Sequence, residues 1–304
     1  MNVTDDVSTM AILEPSSTSA VNPSTAHSSA EDVQAPTIIE PRKGWWHFNW
    51  RDLWAYRELL FFLVWRDVKV RYKQTLLGAS WAIIQPTLQL VVFTIIFGRL
   101  AGVNTNGIPY PLFNLAGLLP WQFFANTVGQ AANSLVGSAS IVRKVYFPRL
   151  AIPTASVLAG VVDFGLSFLI LLALMVWYRW PPTPAMFLLP LFLLLAMFTA
   201  MGVGFWLSAI NARYRDVRHA TPFLIQLWLF ATPVVYPSNL VEGYWQFLYA
   251  LNPMVSVVEG FRWALLGTQP PGLLMLISVM MAVTIFSSGL FYFQAVERKF
   301  ADII

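Results

Sequence analysis

Long apolar runs, separated by short polar segments, dominate the chain after residue 78. A helix that crosses a membrane needs about 20 mostly apolar residues. Six runs reach or approach that length, at residues 79–98, 110–135, 152–177, 185–208, 220–237 and 273–293. The pattern therefore predicts an all-α integral membrane protein with six transmembrane helices.

Residues 45–76 have a different pattern, which predicts a helix lying in the plane of the membrane. Charged residues from Arg51 to Lys73 form the polar side, and the apolar residues that recur at helical spacing are Leu53, Tyr56, Leu60, Phe61, Val64 and Trp65. An amphipathic, basic helix that carries tryptophan tends to lie at the membrane interface. The period-two alternation from Val68 to Lys73 leaves helix and strand open at its end.

The first 44 residues are predicted to be a disordered cytoplasmic tail. They are rich in Ser, Thr, Ala and Pro, and residues 1–40 contain six acids and no Lys or Arg. Such a segment cannot bury enough apolar surface to offset its chain entropy. The predicted organisation is a tail at 1–44, an interface helix at 45–76 and a six-span transmembrane domain at 77–304.

Two short helical patterns precede the last apolar run. One extends from Tyr244 to Leu251 and the other from Met254 to Leu265, with Asn252-Pro253 between them. Each helix would be about 10–14 residues long, which is too short to cross a membrane. Irregular backbone at membrane depth is tolerated only where protein or water covers it, so the sequence predicts two short re-entrant helices.

Composition and charge agree with a membrane protein and set its orientation. The chain is 57% hydrophobic and 11% charged, whereas a soluble domain has roughly 25% charged residues. With the N-terminus inside, sixteen of the nineteen Lys and Arg residues fall on one side of the membrane, and Arg99, Arg179 and Arg262 fall on the other. Basic residues concentrate on the cytoplasmic side, so both termini are predicted to be cytoplasmic. This clustering between apolar runs argues against nucleic acid as a partner.

The sequence lacks the motifs of several kinds of metal-binding, nucleotide-binding and catalytic site. The chain has no cysteine, and His27, His47 and His219 lie far apart, which offers no local spacing for a metal site. No lysine follows a glycine, so there is no GxxxxGK phosphate loop and the chain cannot itself be a P-loop ATPase. GxSxG, HExxH and paired-acid motifs are also missing, so the chain is not predicted to be an enzyme.

The second apolar run carries a stripe of amides and hydroxyls. Asn114, Gln122, Asn126, Gln130 and Ser134 lie close to one helix face. Carboxamides are costly against lipid, so this face should meet another helix or line a pathway, and the pattern leaves both open.

Asp163 is the only acid well inside an apolar run. An intramembrane carboxylate is a candidate functional group. With no basic partner in a span, we expect it to hydrogen-bond to a neighbouring helix.

Aromatic residues and basic loops add further candidates. The aromatics at the ends of the runs fit an interfacial belt better than a track for sugar rings, although they could serve as either. Segments 138–149 and 211–218 are basic loops on the predicted inner side. Val145, Tyr146 and Phe147 are expected to be exposed there, and exposed apolar side chains indicate docking to a partner or to headgroups.

Five segments resemble a known family. RDVKVRYKQTLLGASWAIIQP, IVRKVYFPR, NARYRDV, ATPVVYP and LNPMVSVVEGFRWALLG are similar to the permease subunits of bacterial ABC exporters of O-antigen, teichoic acid and capsule. The likeness extends from about residue 50 to the C-terminus, with the segments in the family's order and spacing.

The resemblance implies a homodimer in the bacterial inner membrane, bound to two cytoplasmic ATPase subunits that hold ATP and magnesium; this chain would bind no cofactor. The cargo would be an undecaprenyl-diphosphate-linked polysaccharide. Its pyrophosphate would enter near Arg66, Lys69, Arg71, Lys73, Leu77 and Gly78. The ATPase would couple through Arg143, Lys144, Tyr146, Phe147, Pro148, Arg213, Tyr214 and Asp216. The pathway would be lined by Gln85, Asn114, Trp121, Gln122, Asn126, Gln130, Trp228 and Tyr236, and the outer gate by Tyr244, Trp245, Tyr249, Glu259 and Arg262.

Two alternatives remain at this point. The same family could carry another cargo, such as teichoic acid, capsule, a drug or a small lipid. A membrane-embedded glycosyltransferase acting on the same lipid carrier would belong to a different class, and it would need an interfacial acidic cluster that the sequence lacks.

Overall fold

The computed structural model describes residues 55–73, 80–144, 147–238 and 243–297, all within one compact unit, Trp45–Ile304. This part of the chain is helical, and no strand occurs in it. The predicted tail at 1–44, the first ten residues of the predicted interface helix and the Leu77-Gly78 turn lie outside the described residues.

Ten α-helices occur in the described ranges. They are α1 Arg57–Lys73, α2 Trp81–Phe93, α3 Tyr110–Gly137, α4 Ala139–Lys144, α5 Ala151–Trp177, α6 Leu189–Arg213, α7 Val217–Phe230, α8 Trp245–Ala250, α9 Pro253–Leu266 and α10 Leu274–Glu297. A π-helical segment, Thr94–Leu100, extends α2, and a 3₁₀ helix, Pro184–Leu188, precedes α6. The sequence left helix and strand open from Val68 to Lys73. The structure shows that these residues are helical, since α1 extends to Lys73.

Helix α3 is the centre of the bundle, and α2, α5, α6 and α9 pack around it. Small residues allow the closest helix crossings, as is usual in membrane proteins. At the crossing of α6 and α10, a Cβ added to Gly289 would lie 2.2 Å from the carbonyl oxygen of Gly202. The two backbones therefore touch, and only glycine fits at this point.

Four helical stretches are long and apolar enough to cross a membrane: Trp81–Leu100, Ala151–Trp177, Pro184–Arg213 and Leu274–Glu297. Much of their apolar surface is exposed, which suits contact with lipid. Helix α3 is long enough, at about 42 Å for its 28 residues, but its amides make it less apolar. The count of six spans stays a prediction.

The fifth predicted span, 220–237, differs from the structure. Helix α7 ends at Phe230, and residues 231–236 are turns and bends. Pro233 explains the end, because the residue before a proline is disfavoured in helical conformation and a proline cannot continue the helical hydrogen bonds.

The predicted pair of short helices before the last span is present as α8 and α9, although α8, with 6 residues, is shorter than expected. Asn252 separates them and accepts a 3.0 Å hydrogen bond from the Met254 backbone N–H at the start of α9. Its amide also donates to the carbonyl of Ala231 and the hydroxyl of Thr232, just past the end of α7. Whether the pair is re-entrant stays a prediction.

One end of the bundle gathers the basic loops. Arg66 of α1 donates to Ser138, and Asn211 near the end of α6 donates to the carbonyl of Ala132 in α3. The C-terminal ends of α3 and α6 and the N-terminal end of α5 therefore lie together with α1. We call this the basic end.

Candidate functional site

Helix α1 turns Arg66, Asp67 and Arg71 towards the bundle, and Phe61, Phe62 and Trp65 away from it. Leu63 is 1% exposed, and Arg66 and Arg71 are half-buried, whereas Phe61 is 71% exposed and Trp65 is also exposed. The sequence had placed Phe61 and Trp65 on the same apolar side as the packed residues. Charged groups next to lipid need partners, and the bundle supplies them, while lipid accepts aromatic rings.

Two polar layers fasten α1 to the bundle, and the first centres on Asp67. Its Oδ1 accepts hydrogen bonds from Arg66 Nε at 3.0 Å and Nη2 at 2.7 Å. Its Oδ2 accepts from the Ser156 hydroxyl of α5 at 3.2 Å, and Arg66 Nη2 also reaches the Ser138 hydroxyl at 3.3 Å. This layer joins α1 to α5 and to Ser138, which directly follows α3.

The second layer centres on Asp163. Arg71 donates to both the Asp163 carboxylate and the Gln130 side-chain oxygen, and the Tyr72 hydroxyl donates to the other Asp163 oxygen. Burial, the hydrogen bond to Asp163 and the charge of Asp163 raise the pKa of Tyr72. Asp163 thus hydrogen-bonds to a neighbouring helix, as expected, and it also has a basic partner on α1.

The four cations predicted to bind pyrophosphate differ in their contacts and in their exposure. Arg66 and Arg71 are half-buried and paired with carboxylates, whereas Lys69 and Lys73 are exposed. Leu77 and Gly78 lie outside the described residues.

Two of the five residues in the polar stripe of α3 make hydrogen bonds to other helices. Gln122 donates to Gln89 of α2, and Gln130 accepts from Arg71. Asn126 is exposed, as is Gln85 of α2. These contacts favour the helix–helix interpretation for Gln122 and Gln130, and the assignment of the stripe to a pathway stays a prediction.

Asn114 stands apart from the other amides. Its side chain is 0% exposed, and neither its oxygen nor its nitrogen has a hydrogen-bond partner within the described part of the chain.

Arg262 is a buried hub beside the non-helical segment after α7. It is 3% exposed, and its guanidinium donates to the carbonyls of Phe113, Val234 and Tyr236 at 3.2, 2.6 and 3.3 Å. It also lies 3.7 Å from the centre of the Phe113 ring. One cation therefore satisfies three main-chain oxygens and holds 234–236 against α3.

Aromatic residues surround the same region. Trp121 is buried, and Trp228 donates to the Asn252 oxygen at 2.9 Å. The hydroxyls of Tyr236 and Tyr249 lie 2.6 Å apart. The residues predicted for the outer gate divide as follows: Tyr244 and Trp245 are exposed, Tyr249 and Glu259 are half-buried, and Arg262 is buried.

Glu259 lies one turn before Arg262 on α9. Burial raises the pKa of its carboxyl, and a hydrogen bond with Ser238 and the charge of Arg262 oppose that rise. The non-helical segment, α8 and α9 thus form one connected polar and aromatic cluster.

Most of the described residues that were predicted to contact the ATPase are exposed. Lys144, Arg213, Tyr214 and Asp216 are exposed, and Pro148 is half-buried. Phe147 is 5% exposed and packs in a cluster with Leu63 and Leu150, so the expectation that it is exposed was wrong. The Arg143 side chain and Tyr146 lie outside the described residues.

Comparison with known proteins decides the family. Residues 58–266 match the profile of a family described as "ABC-2 type transporter". The chain belongs to the ABC-2 type transporter family. The match contains all but the first residue of α1, the amide stripe of α3 and Arg262, and it confirms the resemblance found in the sequence.

Several relatives of this ABC-2 permease have names that refer to O-antigen export or polysialic acid transport. This chain is 36% identical over 215 residues to the O-antigen export system permease protein RfbA of Myxococcus xanthus, and the match covers 70% of this chain and 82% of the relative. It is 28% identical to RfbA of Klebsiella pneumoniae, covering 81% and 95%. It is 26% identical to the polysialic acid transport protein KpsM of Escherichia coli, covering 66% and 78%.

Proposed function

We propose that this ABC-2 permease exports a polysaccharide linked to undecaprenyl diphosphate across the bacterial inner membrane. The observation that carries the proposal is the 36% identity, over 70% of the chain, to a relative named as an O-antigen export permease. ATP and magnesium would be bound by two separate cytoplasmic ATPase subunits, because this chain has no phosphate loop.

The pyrophosphate of the lipid carrier would be attracted first by Lys69 and Lys73. Both lie on α1 near the predicted entry, and both are exposed. Contacts between cations and phosphate oxygens are among the strongest hydrogen bonds in proteins. Arg66 and Arg71 would act indirectly, since their guanidinium groups already bind carboxylates that hold α1 in place.

Two copies of the permease would enclose the export path, with both termini in the cytoplasm. The exposed Asn126 and Gln85 are available to such a path, because amide side chains are costly against lipid. At the outer end, the cluster of Tyr236, Tyr249 and Arg262 would form the gate. Aromatic faces and hydroxyls suit the alternating C–H and O–H surfaces of sugars.

The ATPase would act on the basic end. Lys144, Arg213, Tyr214 and Asp216 are exposed there and could contact a partner surface. Nucleotide binding to the ATPase would favour one of two permease states, and cargo would by linkage favour the same state.

Reconstitution tests the proposal directly. The permease and its ATPase are placed in liposomes with a polysaccharide linked to undecaprenyl diphosphate, and we expect ATP-dependent movement of the polymer across the bilayer. A carrier that bears a single sugar is the matched control for polymer length. Transport of small lipids or drugs with no transport of the polymer would contradict the proposal, as would transfer of sugar from a nucleotide-sugar donor by the permease alone.

A further inference from the structure

Arg149 and Glu297 join the loop before α5 to the last turn of α10. The backbone N–H of Arg149 donates to Glu297 Oε1 at 3.0 Å. In return, Arg149 Nη1 donates to the backbone carbonyl of Glu297 at 2.9 Å. Each residue therefore gives one side-chain and one main-chain group, and we call this contact the clamp.

The clamp places the Glu297 carboxylate near the start of α5. Arg149 lies two residues before the start of α5, and Glu297 is the last described residue of α10. The carboxylate thus lies near the N-terminus of α5, where the helix dipole stabilises it. Both hydrogen bonds are also strengthened by charge. This makes the clamp a firm connection between a loop of the basic end and the last helix.

Helix α10 is locked to α6 along its C-terminal half. Gly202 and Gly289 bring the two backbones into contact. Near this crossing, the rings of Trp206 and Tyr292 stack 4.2 Å apart, and Trp206 donates to the Ser288 hydroxyl at 3.2 Å. Because α6 and α10 are packed this closely, a shift at one end of α10 moves the two helices together.

The other end of α10 holds α8. The Ser278 hydroxyl donates to the carbonyl of Ala250, the last residue of α8, at 2.7 Å. Ser278 and Glu297 belong to one uninterrupted helix, and they lie about 28 Å apart at about 1.5 Å per residue. One rigid element thus touches the loop before α5 at one end and the short helix α8 at the other.

We propose that Arg149 and Glu297 are positioning residues that transmit movement of the loop before α5, through α10, to α8. The inference rests on the proposed function, in which an ATPase acts on the basic end and the α8–α9 region forms the gate. It adds a mechanical connection, and it assigns roles to Arg149, Glu297 and Ser278. The two-state element is α10 together with α6, which the clamp biases at one end and which moves α8 at the other.

A single cysteine can report movement of α8, because the chain contains no cysteine of its own. Leu248 is exposed on α8, so Leu248→Cys offers one thiol to a membrane-impermeant maleimide. The labelling rate is measured in the complete complex with the ATPase, in liposomes, with and without ATP and vanadate. In the otherwise unchanged chain we expect the trapped nucleotide to change this rate by about fivefold or more.

Glu297→Ala removes the acceptor for the Arg149 N–H, and Ser278→Ala breaks the contact at the other end. In each variant we expect the labelling rate to lose its response to nucleotide while ATP hydrolysis continues. Ser278→Ala keeps the proposal testable if Glu297→Ala fails to fold. Thr284→Val is the matched control, because this exposed hydroxyl of α10 donates within its own helix to Met280; the control should keep the full response.

The outcomes separate this inference from the proposed function. If the reporter protein does not export polysaccharide, the proposed function fails and the inference fails with it. If it exports polysaccharide but the thiol does not respond to nucleotide, α8 does not move and the inference alone is overturned. A full response in both alanine variants would overturn it as well, since the clamp and Ser278 would then be structural contacts.

Discussion

Arg71 and Asp163, which lie 92 residues apart in sequence, form an ion pair between α1 and α5. Gln130 of α3 and Tyr72 of α1 complete the group. Helix α1 is thus fixed by a charged contact to α5, which is long and apolar enough to cross a membrane.

We expect Asp163→Asn to lower the free energy of unfolding by about 1–3 kcal/mol, because a charge-assisted bond is lost and Arg71 keeps an unpaired charge. The thermal stability of the purified protein measures the effect. The double variant Asp163→Asn/Arg71→Gln should recover part of the loss, since the unpaired charge is gone. Equal stability of the wild type and Asp163→Asn would contradict this account.

Asn114→Leu is expected to leave the protein as stable as the wild type or more stable. The Asn114 amide is fully buried without a partner, and removing an unsatisfied polar group relieves a cost of about 1–3 kcal/mol. Asn211→Leu is the matched control, because Asn211 is also buried but donates to the carbonyl of Ala132. Its melting temperature should fall. A fall of similar size in Asn114→Leu would show that Asn114 has a partner after all.

Gly289→Ala should destabilise the bundle, by about 1–3 kcal/mol or more, because the new methyl group would overlap the Gly202 carbonyl and force α6 and α10 apart. Gly165→Ala offers the comparison, since nothing lies within 4 Å of the position where its Cβ would be. There, alanine should be neutral or stabilising, as it favours helix more than glycine does. Melting curves that fail to separate the two variants would refute the close crossing.

Replacing both Lys69 and Lys73 with glutamine should weaken binding of the lipid-linked pyrophosphate by about tenfold or more, at about 1 kcal/mol for each cation near an anionic group. Stimulation of the ATPase by increasing amounts of the lipid-linked cargo measures the apparent affinity. The wild-type affinity should also fall as salt rises. Arg179→Gln, another exposed cation, is the control. Unchanged affinity in the double variant would remove these lysines from the entry site.

The elements of the fold could be read from apolar periodicity to a large extent. The pattern gave α3, α5, α6 and α10 within a few residues of their bounds, and it gave the α8–α9 pair with its break before Pro253. The end of α7 was missed, although Pro233 is visible in the sequence as a signal that stops a helix.

Contacts between distant segments could not be read in the same way. Periodicity shows that Phe61 and Trp65 share a side of α1, but it does not tell which side meets the bundle. Phe147 was expected to be exposed, but it belongs to a buried cluster that includes Leu63, which comes from a helix far away in sequence. A buried acid needs a cationic partner, so the sequence does indicate that Asp163 has one. Helix α1 carries several cations, however, and the sequence does not tell which of them is the partner.

A π-helical segment, Thr94–Leu100, lies at the end of α2. A π-helix winds more residues into each turn than an α-helix does, so this stretch holds about one residue more than regular winding would need. Loss of one residue here would restore the regular helix without rotating Gln89 away from Gln122. Single-residue differences in length among related chains are therefore easiest to accommodate at this point of the first span.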